Sequence, residues 1–194
     1  MDFYFISDNK FILAAVQELP RYTEGEYIFL CATNPIYRKI QPFCEDIVVV
    51  AVQDSELRRR ILHVPAMDSC RVIILVNIKC VSLCGLSWTF PWVLSEKVSL
   101  NTLTRILRLA TRLPVIRNEV TERETLLFDY LCRGYSFTEI GCEMNLSAKY
   151  LYSLKRTTLA KYGLPEYGCT GVQVCRDIIG MRQEKSVNNP VRSI

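Results

Sequence analysis

Between Lys149 and Lys161 the chain carries four cations, Lys149, Lys155, Arg156 and Lys161, and no acid. Wound as a helix at about 100° per residue, this stretch puts Leu151, Leu154, Thr158 and Tyr162 on one arc. Lys149, Tyr152, Ser153, Arg156 and Ala160 take the opposite arc, with Lys155 and Lys161 on the flanks. An outward arginine can fork two hydrogen bonds onto guanine O6 and N7, and tyrosine and serine beside it can meet other base edges. Lysines suit phosphates, which fix position rather than sequence. The chemistry on offer is recognition of duplex DNA, with Tyr152, Ser153 and Arg156 expected on bases and Lys149, Lys155 and Lys161 on phosphates. A solvated surface helix would show the same two arcs, so the elements that hold the segment must decide.

Those elements announce themselves by their ends. Thr121-Glu122-Arg123-Glu124 has the form of a capping box, in which the threonine hydroxyl and the glutamate each satisfy a backbone N–H of the first turn. The helix it opens has Leu127, Phe128 and Leu131 inward and stops near Gly134. Ser136-Phe137-Thr138-Glu139 is a second box, opening a short helix with Ile140 and Met144 inward. Ser147 caps the cationic helix, which ends near Gly163. Two short helices, a tight link and a longer third helix follow the order of a helix-turn-helix unit, whose last helix enters the major groove.

The stretch Val120–Leu164 resembles the DNA-binding domain of LuxR-type, or GerE-like, regulators. The resemblance rests on Thr121, Arg123-Glu124, Leu127, Gly134, Ser136, Glu139-Ile140, Met144, Ser147, Leu151, Lys161 and Gly163, at the family's spacing without a gap. From Glu139 to Leu164 it is most similar to the capsule-synthesis (Rcs) branch of response regulators. The resemblance implies base readers on the outer face of the third helix, here Tyr152, Ser153 and Arg156. It also implies a fourth helix that pairs two subunits, a role for which Val172–Met181 offers Val172, Cys175, Ile178 and Ile179. The sequence departs from the family where Tyr150-Leu151 replaces threonine-valine, Leu154 replaces histidine and Thr158 replaces isoleucine.

Residues 1–110 read differently. Phe3–Ser7, Tyr27–Cys31, Ile47–Val52, Val72–Val76 and Trp92–Leu94 are short apolar runs that read as strands; the β-branched Ile47–Val52, and Val72–Val76 with it, are expected of strands buried on both faces. Between them lie helix-like stretches: Phe11–Leu19 with Phe11, Ala14, Ala15 and Glu18 at helical spacing, a short one near Ile36–Phe43, Glu56–Leu62, and Val98–Ala110. Alternation of this kind predicts a parallel sheet covered by helices. The expected fold class is α/β plus all-α. A receiver-like sheet domain over 1–110 precedes a linker at 111–118, a four-helix LuxR-type domain over 119–184 and a loose tail at 185–194.

In the Rcs-like branch such a domain often follows a phosphorylatable receiver, and Val93–Leu107 looks like the last receiver strand and helix. That resemblance calls for paired acids after the first strand, an aspartate ending the third, a hydroxyl after the fourth and a lysine after the fifth. Here the corresponding segments are Ser7-Asp8-Asn9, Ala51 with Asp54 three residues on, Val76-Asn77 and Leu94-Ser95. A pocket so short of carboxylates would bind Mg²⁺ poorly. The expectation is a pseudo-receiver without phosphate, with Asp8 an ordinary strand-end acid and Asp54 a helix-start residue. The alternative, a phosphorylatable response regulator, needs Asp54 as acceptor.

The chain has 194 residues, a net charge of +4 and 49% apolar residues, which fits a packed globular chain and argues against global disorder. No apolar run is long enough to span a bilayer, and MDFYFISDNK lacks the basic start and apolar core of a signal peptide. Nine cysteines and one histidine are present, with no CxxC pair. That excludes a recognisable zinc site and points to reduced, packed thiols in a cytoplasmic setting. A thiol-responsive regulator would use Cys80/Cys84 or Cys169/Cys175. A nucleophile–base pair of His63 with a cysteine has no local signature, so no enzyme, metal or cofactor is expected. The expected partners are double-stranded DNA and a second subunit, either a like copy with two third helices about 34 Å apart or a related response regulator.

Overall fold

In the computed structural model, residues 1–21, 24–34, 41–78, 88–164 and 168–181 are described. The expected helix near Ile36–Phe43 falls largely outside them, as do Cys80, Cys84 and the tail at 185–194.

Five parallel strands form one sheet in the order β2-β1-β3-β4-β5: β1 (Phe3–Ser7), β2 (Tyr27–Cys31), β3 (Ile47–Ala51), β4 (Arg71–Val76) and β5 (Trp92–Ser95). β3 is central, and β1 beside it pairs Ser7 with Cys31 of β2 on one side and with Ala51 of β3 on the other. Alternation of side chains across the sheet divides β1, β3 and β4 between two cores. Phe3, Phe5, Ile47, Val49, Ile73 and Leu75 face one way, and Tyr4, Ile6, Val48, Val50, Ile74 and Val76 face the other.

The first core is closed by α1 (Lys10–Gln17) and α3 (Leu100–Ala110), which contributes Leu103, Ile106, Leu107 and Ala110. In α1 the residues picked out by helical spacing lie on the outer face. Phe11 is 86% exposed, and Ala14, Ala15 and Glu18 also face solvent, while Val16 and Leu19 are buried with Ile12 and Leu13 packed against them. Apolar residues occupy two arcs of this short helix, and the wider branched side chains win the sheet because they remove more area from water.

The second sheet face is covered by α2 (Ser55–Leu62) and a 3₁₀ turn at Pro65–Ser69. Its apolar core runs on without a break into the helical half, α4 (Glu122–Cys132), α5 (Phe137–Met144), α6 (Ala148–Lys161) and α7 (Gly168–Ile179). α7 packs against α4 and α6 on one side and against α2 on the other. Residues 111–118, expected as a linker, are tied down. The Phe90 N–H donates to the Ile116 carbonyl at 2.6 Å, and the Arg117 guanidinium donates to the carbonyls of Met67 at 2.6 Å and Cys70 at 2.7 Å.

Arg58 and Asp177 fasten the two halves. Arg58 is 2% exposed and Asp177 0%. Arg58 Nε donates to Asp177 Oδ2 at 2.9 Å, and its Nη2 lies 2.9 Å from the same oxygen. Arg58 Nη1 also reaches the carbonyls of Val52 at 3.2 Å and Gln53 at 3.4 Å, in the loop after β3. Arg176 Nη2 donates to Asp177 Oδ1 at 2.9 Å. Burial pushes the Asp177 carboxyl above its ordinary pKa, and the two guanidinium groups pull it back only part of the way. Nearby, His63 Nε2 lies 3.3 Å from the Asp177 carbonyl. A Cβ at Gly180 would fall 2.3 Å from that nitrogen, so glycine there permits the close approach.

Candidate nucleic-acid interface

Both capping boxes form. Thr121 Oγ1 accepts from the Glu124 N–H at 3.2 Å while Glu124 Oε2 accepts from the Thr121 N–H at 2.8 Å. Ser136 and Glu139 exchange the same pair of bonds at 3.3 and 2.7 Å. α4 is followed by Gly134 at φ 87° and α5 ends on Asn145 at φ 52°, both in the left-handed region that stops a helix without clash or at modest cost. Asn145 to Ser147 is the whole link to α6, and the Ser147 hydroxyl accepts from the Tyr150 N–H at 3.2 Å.

α6 turns the face that its periodicity predicts. Leu151, Thr158 and Tyr162 are buried and Leu154 is half-buried. Lys149, Tyr152, Ser153, Arg156 and Ala160 are exposed on the opposite side. Among the described residues neither Lys149 nor Arg156 has a carboxylate within salt-bridge distance. The result is an outward strip of cations and hydrogen-bonding groups on a helix gripped from behind.

Lys161 departs from expectation. Its ammonium binds Glu124 Oε1, a carboxylate whose side chain is 3% exposed. Thr158 donates to the same oxygen at 2.9 Å, and the Thr121 hydroxyl donates to Oε2 at 3.0 Å. Burial alone would raise the Glu124 pKa, but the Lys161 ammonium, the Thr121 N–H and the two hydroxyls together hold it below the ordinary value. This network accounts for threonine at position 158, where the family resemblance leads to isoleucine: the hydroxyl serves a buried carboxylate. Lys161 therefore anchors α6 to α4, and its charge is already spent on Glu124.

A contact that sequence reading missed lies at the α5–α6 corner. The Phe137 and Tyr152 rings stack with centroids 3.9 Å apart and planes at 22°, and Lys155 Nζ lies 5.8 Å from the Phe137 centroid. The fifteen-residue separation of the two aromatics gave no periodic signal.

The expected pairing residues are not on the surface. Val172, Cys175, Ile178 and Ile179 are at most 7% exposed within the single chain, because α7 is held between α4 and α2. For these side chains to meet a second subunit, α7 would have to come away from its own core.

At the C-terminal edge of the sheet the polar groups bind one another. Asp8 Oδ2 accepts from the Gln53 N–H at 3.0 Å and the Asp54 N–H at 3.3 Å. Asp54 caps α2, accepting from the Leu57 N–H at 2.7 Å. The Gln53 side-chain amide donates to Glu96, the residue after β5, and the Ser7 hydroxyl donates to the Ala51 carbonyl at 2.7 Å. Glu96 thus brings a second carboxylate to this end of the sheet. Among the described residues no cluster of three or more potential ligands is placed to hold a metal ion.

Three of the seven cysteines among the described residues are held back by burial. Burial raises Cys70 to about 12 and pushes Cys132 and Cys175 upward, which suppresses the nucleophilic thiolate. Cys169 is exposed. Cys31, hydrogen-bonded to the Thr33 hydroxyl at 3.0 Å, is lowered by that bond. No described helix is long and apolar enough to cross a membrane.

No protein-family model matches the chain, and no curated protein matches it. Among solved structures, RcsB from Salmonella enterica serovar Typhimurium, bound to promoter rprA in the presence of the phosphomimetic BeF3-, aligns over 93% of this chain and 98% of its own. The identity is 13% and the TM-score 0.45. A complex of the two-component response regulator RcsB with DNA aligns over 90% and 96%, with 15% identity and a TM-score of 0.44. The response regulator ChrA of a heme-sensing two-component system aligns over 91% and 98%, with 13% identity and a TM-score of 0.34. At these values the likenesses carry no argument about what this chain does.

Proposed function

We propose that the chain is a sequence-specific, double-stranded-DNA-binding transcriptional regulator of LuxR type. Its domains are a pseudo-receiver over 1–110, a pinned connection at 111–118 and a helix-turn-helix domain over 119–184. The observation that carries this reading is the outward strip of α6, which is cationic, acid-free and exposed on a helix fixed by two capping boxes and the Glu124 network. Arg156, Ser153 and Tyr152 meet bases, and Lys149 and Lys155 meet phosphates. Lys161 is better placed as a structural anchor. The test is binding to chromosomal fragments against random competitor at physiological ionic strength. A preference that weakens in Arg156→Ala supports the reading, and equal affinity for both pools refutes it.

Control by aspartyl phosphorylation is disfavoured by the sheet edge. Ala51 carries no acceptor, Asp54 is occupied as a helix cap, and a phosphoryl group there would lie near the Asp8 carboxylate, which accepts from the Asp54 N–H. Incubation with a small phosphodonor should leave the intact mass unchanged; a stoichiometric gain of one phosphoryl group overturns this part. The second subunit, whether a like copy or a related response regulator, meets a surface other than the docked face of α7, or meets α7 after it is released. Such a regulator works in the cytoplasm, on DNA.

A further inference from the structure

We infer that Tyr152 reads the methyl group of a thymine in the major groove, and that Phe137 is the positioning residue that holds its ring for the purpose. The inference rests on the DNA-binding reading and deepens it by naming the base feature.

Tyr152 is 59% exposed, on the outward arc of α6 between Lys149 and Arg156. An exposed tyrosine on a helix ordinarily moves between rotamers, and ordering it on binding opposes affinity. Here the ring is already ordered, because it lies flat against Phe137 at 3.9 Å. Phe137 is itself fixed. It is the first residue of α5, directly after Ser136, whose reciprocal bonds with Glu139 set the entry of the helix. The second capping box thus does more than start α5: it places the platform on which Tyr152 rests. Lys155, one turn along α6 from Tyr152, brings its ammonium toward the Phe137 ring, which leaves a cation beside the aromatic pair for a phosphate.

The face of the Tyr152 ring, as distinct from its hydroxyl, has no directed hydrogen bond to offer guanine O6 or N7. Among the features displayed in the major groove, the one it complements is the thymine 5-methyl group. Arg156 sits one helical turn further on, about 6 Å along the axis, which spans one to two base pairs at roughly 3.4 Å each. The preferred site should therefore hold a thymine one or two base pairs from a guanine.

The experiment starts from the site that the full-length protein selects from a random duplex pool. Each thymine in that site is replaced in turn by deoxyuridine, which removes the methyl and leaves pairing intact, and the Kd ratio is measured. Wild type should lose about fourfold at one thymine, the value of one buried methyl. Tyr152→Phe should keep that ratio, because the ring and not the hydroxyl is the reader. Tyr152→Ala should bring it to about one while binding persists. Phe137→Leu, which retains apolar filling without the stack, should also bring it toward one, whereas Phe137→Tyr should preserve it. Methyl insensitivity at every thymine in wild type overturns the inference while leaving DNA binding intact. A ratio abolished by Tyr152→Phe assigns the contact to the hydroxyl and overturns it as well. A ratio unchanged in folded Phe137→Leu removes Phe137 from the mechanism. If no site is selected at all, the DNA-binding reading itself has failed.

Discussion

Replacing Asp177 by alanine should cost the folded chain about 3 kcal/mol, the lower end of the range for removing one member of a buried ion pair. The lower end applies because Arg58 would not be wholly stranded: its Nη1 keeps the carbonyls of Val52 and Gln53 at 3.2 and 3.4 Å. What it loses is the carboxylate that both its Nε and its Nη2 approach at 2.9 Å. Arg176 is half-buried and loses its short bond too, but it can turn to water. Both tryptophans lie in the sheet half, Trp92 at 2% exposed and Trp88 at 73%, so tryptophan fluorescence follows the sheet while far-ultraviolet circular dichroism is weighted toward the helices. Urea titration should give coincident transitions in wild type, since one apolar core spans both halves. In Asp177→Ala the dichroism transition should fall at lower urea than the fluorescence transition, because α7 has lost its tie to α2. The paired change Arg58→Met with Asp177→Leu should recover most of the loss, as apolar pairs of similar volume commonly do. A loss below about 1 kcal/mol with coincident transitions would show that the buried pair is not what joins the halves.

Other outcomes follow from the α4–α6 network and the outward strip. Lys161→Ala should lower stability by about 2 kcal/mol by leaving the Glu124 charge buried and less well bonded, with little change in the salt dependence of DNA binding. Lys155→Ala should do the reverse, reducing the slope of log affinity against log salt by about 1 without favouring any sequence. Arg156→Ala should weaken the selected site by about 1–3 kcal/mol and relax one or two positions. The pH dependence is read by thermal unfolding of wild type against Glu124→Gln. Because the folded pKa of Glu124 lies below its unfolded value near 4.5, its contribution is complete above that pH and lost as pH falls through the folded value. Asp177 is shifted the other way, so the difference between the two proteins isolates Glu124. That difference should shrink steadily below about pH 4.5, and a constant gap would refute the assignment.

Local signals carried much of this structure. The short apolar runs placed all five strands within a residue or so; the β-branched ones, Ile47–Ala51 and Arg71–Val76, are strands buried on both faces, which can tolerate little else. The capping boxes placed the starts of α4 and α5 for an equally local reason: a residue and its third neighbour satisfy the same turn. The failures were long-range. In α1 two arcs were apolar, and only the sheet beneath could choose Val16 and Leu19 over Phe11 and Ala14. Arg58 and Asp177 each look like ordinary surface charges on their own helices, and they are 119 residues apart. Glu124 is legible as a cap, but its bonds to Thr158 and Lys161 are not, and a flank lysine with no visible partner points to a phosphate. Val172, Cys175, Ile178 and Ile179 are apolar, but apolarity does not say whether the surface that covers them belongs to the same chain or to another.

That last ambiguity bears on how the two halves relate. The docking that buries α7 leaves the outward strip of α6 exposed, so the strip needs no release from the sheet half. What the arrangement withholds is α7. Arg58 stands at the centre of this arrangement, with its Nη1 on the loop after β3 and its Nε on α7. The same loop carries Gln53, which bonds to Asp8 through its N–H and to Glu96 through its side chain. A displacement of that loop would have to break the Arg58 contacts or carry α7 with it. The sheet edge is therefore mechanically joined to α7, the helix to which the sequence resemblance assigns pairing, through Arg58 and Asp177, and has no such direct tie to the strip proposed for DNA. Perturbing the edge, for instance with Gln53→Ala, should change hydrogen-exchange protection of α7 before it changes that of α6. Equal loss in both helices would mean that the joint does not separate them.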